Sequence, residues 1–311
     1  MTAKLQIYLL CRDRVDYTIQ AIESVIKSAD IYTEVVISDN SITNSVEEMC
    51  RQRFPSISYI RRIPPISSEA HFKAIIDEAK LEYLVLFHDD DIMLPNYVIT
   101  LLRYIEANPT IAAVACNAEI IDKYGNSTGC FTLNGIQAPL LISNSNTFIQ
   151  SYISLKSNGI AAFPSYLYRR EYISSNDMNR RDGGKYSDVT FLLKILSKGQ
   201  IVWHPDSLLQ YRIHGLNDSA VLSICDRLSF LRHLTSHYGV NRKSPEVRQI
   251  KFVAWLDWWK CRHDKTNFFL PDGWRERVVF YFLASTSIRL ALTEVSFWKA
   301  RWQKLNKLII D

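Results

Sequence analysis

The chain has no glycine-rich phosphate fingerprint. Its ten glycines never fall into GxGxxG or GxxxxGK[ST], which argues against a dinucleotide or P-loop site, so the phosphates of any bound nucleotide must be met by side chains and a metal ion. Paired cysteines are missing too. Cys11, Cys50, Cys116, Cys130, Cys225 and Cys261 are scattered without a CxxC pair, which excludes a zinc ribbon or a disulfide scaffold and reads as reduced thiols. No apolar run is long enough to span a bilayer: the strongest, residues 278–292, is broken by Arg289. Residues 1–10 carry one lysine and too short an apolar stretch for a signal peptide, so a cytoplasmic location is expected and the triplets starting at Asn126 and Asn217 read as chance glycosylation matches. Strong charge is lacking as well. The formal net charge is only +5, and the excess sits in the tail, where Arg275, Arg277, Arg289, Lys299, Arg301, Lys304 and Lys307 outnumber Glu276, Glu294 and Asp311. A nucleic-acid binder would spread that charge over a recognisable module, and none is present.

What the chain does have is alternation. Residues 5–11, 34–38, 57–61 and 84–88 read as buried strands, separated by helical periodicity over 17–27, 46–54 and 68–80. Strands alternating with helices imply right-handed crossovers and an α/β fold with a mainly parallel sheet. Further on, a helix is expected from Pro95 to about residue 107, a strand over 111–115, an irregular, substrate-facing loop over 125–145, and a strand over 165–169. A helix opened by Asp188 should run through residue 196, and one or two strands should fill 200–214. Past residue 219 the pattern is helical, over 224–238, 245–263 and 274–310. The boundary is therefore set near 220, with residues 1–115 and 116–219 as the two halves of one domain and 220–311 as a helical, basic, aromatic extension.

In an open parallel sheet ligands sit at the carboxyl ends of the strands. Three polar clusters fall there: Arg12-Asp13-Arg14, Asp39-Asn40-Ser41 and His88-Asp89-Asp90-Asp91. Consecutive carboxylates repel, and keeping them ionised at the end of a buried strand calls for a hard cation or a dense hydrogen-bond network. The competing reading is a solvated acidic helix cap, with Pro95 at an early helical position. Both remain open on residue pattern alone.

In this order the clusters resemble the inverting glycosyltransferases of family 2, which have the GT-A fold. The resemblance covers residues 5–219. Leu10-Cys11-Arg12-Asp13-Arg14 is similar to the family's Pro-Thr-Tyr-Asn-Arg loop, keeping the last Arg and losing the Pro, and Ile37-Ser38-Asp39-Asn40-Ser41 keeps one Asp of Val-Asp-Asp-Gly-Ser. His71-Phe72-Lys73-Ala74-Ile75 stands for Asn-Trp-Asn-x-Ala without either Asn, His88-Asp89-Asp90-Asp91 stands for Asp-x-Asp-Asp, and Ser187-Asp188 keeps the Asp of a Glu-Asp pair. Tyr211-Arg212-Ile213-His214 matches Tyr-Arg-x-His in full.

The resemblance implies a Rossmann-like GT-A domain that transfers a hexose or deoxyhexose from a UDP- or dTDP-sugar to a glycan acceptor, as in O-antigen or other surface polysaccharide synthesis. Asp188 would be the catalytic base. Arg12, Arg14, Asp39, Lys73, Asp89 and Asp90 would meet the donor, and Asp90 with His214 would hold Mn²⁺ or Mg²⁺. His88, Asp91, Tyr211 and Arg212 have no settled role. Each residue also has a plainer reading: Asp188 as a helix cap, His214 as a strand-end histidine bonded to backbone. In the tail, Phe280, Tyr281, Phe282, Trp298 and Trp302 among the basic residues suit either an amphipathic helix on an anionic membrane, which would make the acceptor lipid-linked and the protein peripheral on the inner face, or an ordinary helical appendage. Two other classes compete, a nucleotidyltransferase and a non-catalytic nucleotide-sugar or glycan binder. The first lacks a Gly-rich phosphate loop; the second is suggested by the missing Asp at His88 and the missing Glu at Ser187.

Overall fold

The computed structural model describes residues 2–153, 159–215, 224–244, 247, 248, 250 and 251. All seven residues of β1 (Leu5–Cys11) are buried, as a continuous apolar run at the centre of a two-sided sheet requires. It is followed by α1 (Val15–Ser28), β2 (Thr33–Asp39), α2 (Ser45–Arg53), β3 (Ser58–Arg61), α3 (Ser68–Glu78) and β4 (Tyr83–His88). Strand β1 pairs in parallel with β2 and with β4, and β2 in parallel with β3. The expected alternation therefore forms one parallel half-sheet, whose carboxyl ends bring Cys11 level with Asp39 and Leu10 level with His88.

Beyond β4 the sheet becomes mixed. The chain continues through β5 (Ile92–Met93), α4 (Tyr97–Glu106), β6 (Ile111–Ile121), β7 (Ser127–Phe131), β8 (Leu140–Ile142), α5 (Ser145–Ile153), β9 (Tyr166–Arg169), α6 (Ser187–Leu196), β10 (Gln200–Arg212) and α7 (Ile224–His237). The ten strands run β3-β2-β1-β4-β9-β6-β10-β5, with β7 on β6 and β8 on β10. Strand β9 is antiparallel to both β4 and β6, whereas β10 returns parallel to β6. Ile22, Val25, Leu101 and Ile105 bring α1 and α4 onto the sheet at no exposure, each contributing about 1.5–3 kcal/mol of burial.

One of the two open readings falls, and two expectations are corrected. The acidic triplet does not cap a helix: Ile92 and Met93 pair antiparallel with Gln210 and Leu209, and α4 starts only at Tyr97, after Asn96. The stretch 125–145 is not irregular, because β7 and β8 lie in it. The strand begun at Ile111 runs to Ile121 rather than stopping at Ala115, since Asn117 spends its polar side chain on the backbone of Leu133 and Ala118.

The chain divides into two compact units, one of Met1–Tyr152, Asn158–Arg180 and Ser187–Ala220, the other of Ile153–Ser157, Arg181–Tyr186 and Val221–Asp311. In the second, Tyr186 stacks on Phe230 with centroids 4.7 Å apart and Asp226 Oδ1 accepts from the Lys185 amide. Among the described residues no helix is long and apolar enough to cross a membrane. The basic, aromatic tail and its expected membrane contact lie outside the described residues.

Candidate active site

The carboxyl ends of β1, β2 and β4 hold one connected polar network. Asp13, the one described non-glycine residue at positive φ, 54°, folds the loop after β1 back on the loop after β2. Its amide donates to Ser41 Oγ at 2.7 Å, and its carboxylate accepts from the Ile42 and Thr43 amides. These bonds hold its carboxyl below the ordinary range against the opposing effect of burial. Asp39 is fully buried, accepting from the Ser41 amide on Oδ1 and from Tyr59 and Arg61 on Oδ2. Both of its oxygens are engaged inside the protein, so its visible work is to fix this loop.

Arg14 is the cation that pairs with Asp89 and Asp90. Its Nη2 donates to Asp89 Oδ1 at 2.5 Å and its Nη1 to Asp90 Oδ2 at 2.7 Å. Asp89 has no exposed surface and also accepts from the Arg12 amide; burial pushes its carboxyl up to about 7, with Arg14 opposing. Asp90 is pulled the other way. Burial would raise it, but Arg14, His88 and His214 together hold it below the ordinary value, and His214 Nε2 lies 2.9 Å from its Oδ2. That oxygen is thus shared by Arg14 and His214, while Oδ1 of Asp90 takes no hydrogen bond among the described residues.

Asp91 is the outlier. Its Oδ1 accepts from the Arg212 amide at 2.9 Å, yet its Oδ2 is buried with no hydrogen-bond partner, and burial next to Asp90 drives its carboxyl well above the ordinary range. A buried, unsatisfied carboxylate oxygen is costly unless a cation meets it. His88, Asp90 and Asp91 each offer one ligand atom within 4.8 Å of the others, and two carboxylates with an imidazole suit Mg²⁺ or Mn²⁺. The residues present fit a divalent cation. The group that the fold draws together is His88, Asp90 and Asp91, and His214, expected beside Asp90, contacts its Oδ2 at 2.9 Å.

Behind the cluster Arg212 acts as a strut, fully buried despite its charge. Its Nε donates to the Asp90 carbonyl at 2.8 Å, its Nη2 to Gln20, and its guanidinium lies 4.7 Å from the Tyr17 ring. Tyr211 packs beside the core. Asp188 is the second residue of α6, its Oδ1 accepting from the Val189 amide. Burial pushes its carboxyl up to about 6, a value matched to proton abstraction near neutral pH.

The model of the family described as "Glycosyl transferase family 2" matches residues 7–175, more than half of the chain. The chain belongs to glycosyl transferase family 2. None of the curated proteins compared matches its sequence. Among solved structures, family 2 membership is accompanied by likeness in fold to S. aureus TarS. TarS 1–349 in complex with UDP-GlcNAc superposes with a TM-score of 0.58 at 13% identity, covering 90% of this chain and 79% of that one. The same piece in complex with UDP gives 0.51 at 12% identity, over 80% and 78%. Full-length TarS gives 0.51, and there this chain spans 53% of the length. At such identity the likeness speaks for the fold, the Rossmann-like GT-A arrangement.

Within this family 2 site the fold brings Arg14, Asp89, Asp90, Asp91, His88, Arg212 and His214 together. Arg12 contributes its amide and leaves its side chain exposed at the end of β1. Lys73 is ion-paired with Glu69 one turn back on α3. Residue pattern did not single out Tyr59 and Arg61 around Asp39, nor Phe163, whose half-buried ring lies 6.1 Å from His88 and 6.1 Å from Phe191 of α6. Only an aromatic adjoining a 3-10 turn at Pro164 could have hinted at it.

Proposed function

We propose that this family 2 glycosyltransferase is a divalent-metal-dependent, inverting enzyme that moves a sugar from a nucleoside-diphosphate sugar to a hydroxyl of a glycan acceptor. The observation that carries the reading is the buried, unpartnered Oδ2 of Asp91 beside Asp90 and His88. A divalent cation held there by His88, Asp90 and Asp91 would offset the charge developing on a diphosphate leaving group.

The chain's own residues supply the rest. Arg14 keeps a positive charge beside Asp90, and the exposed Arg12 guanidinium stands at the same strand end to meet phosphate. Asp188, with its carboxyl near 6, is ionised at neutral pH yet basic enough to take the acceptor hydroxyl's proton. A single in-line displacement through an oxocarbenium-like transition state inverts the anomeric centre, and no nucleophilic carboxylate is needed. A UDP-sugar is the favoured donor, in line with the ligands of the TarS structures. The composition of the tail supports a lipid-linked acceptor in surface polysaccharide synthesis.

The test is a panel of UDP-, dTDP- and GDP-sugars scored for thermal stabilisation with and without Mn²⁺. One donor stabilising the protein only with the cation supports the reading; stabilisation by none of them overturns it.

A further inference from the structure

Three half-buried rings meet at the edge of the candidate metal group. Phe72 of α3 lies 5.7 Å from Phe163 and 6.1 Å from His88, and His88 lies 6.1 Å from Phe163. The first two contacts are edge-to-face, the favourable geometry for aromatic pairs. All three rings keep part of their surface exposed, whereas the ring behind Phe163, Phe191, is fully buried. Partly exposed aromatic rings beside a few polar groups are a common lining of ligand sites.

Its position narrows what the ligand is. On one side His88 belongs to the donor set with Asp90 and Asp91. On the other, Phe163 rests on Phe191, three residues beyond Asp188 on α6 and hence on the same face of that helix. The rings therefore lie between the edge proposed for the diphosphate and the helix of the proposed base. In an in-line displacement the attacking hydroxyl lies on the side of the base, opposite the leaving diphosphate, which brings the acceptor ring beside α6. The axial C–H face of a pyranose is apolar and weakly positive, and it complements the negative face of an aromatic ring.

Building on the function proposed above, we propose that Phe163 and Phe72 form a stacking platform for a pyranose ring of the acceptor. The platform sets the acceptor class, favouring a sugar with an uninterrupted axial C–H face over a flexible alcohol or a phosphate. Removing one aromatic face should weaken acceptor binding about three- to tenfold, the scale of one aromatic contact, and leave donor binding unchanged.

Saturation-transfer NMR tests this with methyl β-D-glucopyranoside as the probe, on the full chain saturated with UDP and the diamagnetic cation Mg²⁺. UDP binding is checked first, by thermal shift, so that failure of the nucleotide-sugar reading is scored separately. The expected result is strongest saturation at H1, H3 and H5, reduced in Phe163→Leu, with UDP stabilisation retained. Phe72→Leu serves the same purpose if Phe163→Leu does not fold. Uniform or absent saturation with UDP bound, or saturation unchanged in the folded variant, overturns the platform while leaving the donor site standing. Saturation that appears only without UDP also overturns it, because the pyranose site would then be the donor's own.

Discussion

Replacing Asp188 by Asn should inactivate the enzyme and make the protein more stable. Burial raises the Asp188 carboxyl from 3.8 to about 6, so in the folded protein it gives up its proton less readily than in the unfolded chain. Stability from this group is complete below the unfolded value and is lost as pH rises through the folded one. At about 1.36 kcal/mol per unit, the native protein forgoes at most about 3 kcal/mol at pH 8, an upper bound because Asp188 keeps some exposed surface and is partly screened. The Asn side chain does not ionise and can still accept from the Val189 amide. Urea denaturation should therefore show Asp188→Asn more stable by up to about 3 kcal/mol at pH 8, by roughly half of that at pH 5, and equal to the native protein near pH 3.5. The corresponding rise in Tm at pH 8 is roughly 6–12 °C. In the native enzyme kcat/KM should fall tenfold per unit below about pH 6. A variant that is destabilised at pH 8, shows a pH-independent difference, or still transfers sugar would refute the assignment.

Asp91→Asn should remove a carboxylate from the group and abolish Mn²⁺ binding measured by EPR; retained binding would remove Asp91 from the donor set. Arg14→Ala leaves Asp89 buried and unpaired, and should cost about 3–5 kcal/mol in urea. Tyr59→Phe deletes one hydrogen bond to buried Asp39 and should cost about 1–3 kcal/mol, with no change in the metal affinity read by calorimetry. His214→Ala should weaken Mn²⁺ binding without abolishing it, since His214 holds the oxygen of Asp90 that faces Arg14; complete loss would return His214 to the ligand set.

The parallel half of the sheet was legible because apolar runs such as residues 5–11 alternate with helical periodicity and sit between polar strand ends. The acidic triplet was legible as a polar cluster at a strand end for the same reason. Strands β7 and β8 were not: Ser127 to Phe131 are all exposed, so no alternation marks them, and they exist because β6 offers an edge to pair with. Division of labour within the triplet was also hidden, since the three carboxylates look alike in sequence. Asp89 is committed to Arg14, and Asp91 is held by the amide of Arg212, a residue 121 positions away. The ring cluster joins Phe72, His88 and Phe163 from three segments that share no local pattern.

His88, Asp90 and Asp91 are proposed to hold a divalent cation that meets the diphosphate of a sugar donor. Calorimetric titration of UDP into the protein with and without Mn²⁺, repeated with Asp90→Ala, tests it most directly. UDP should bind tightly only with Mn²⁺, and this dependence should vanish in Asp90→Ala. Equal UDP affinity with and without the cation, or an unaltered Mn²⁺ effect in the variant, would contradict it.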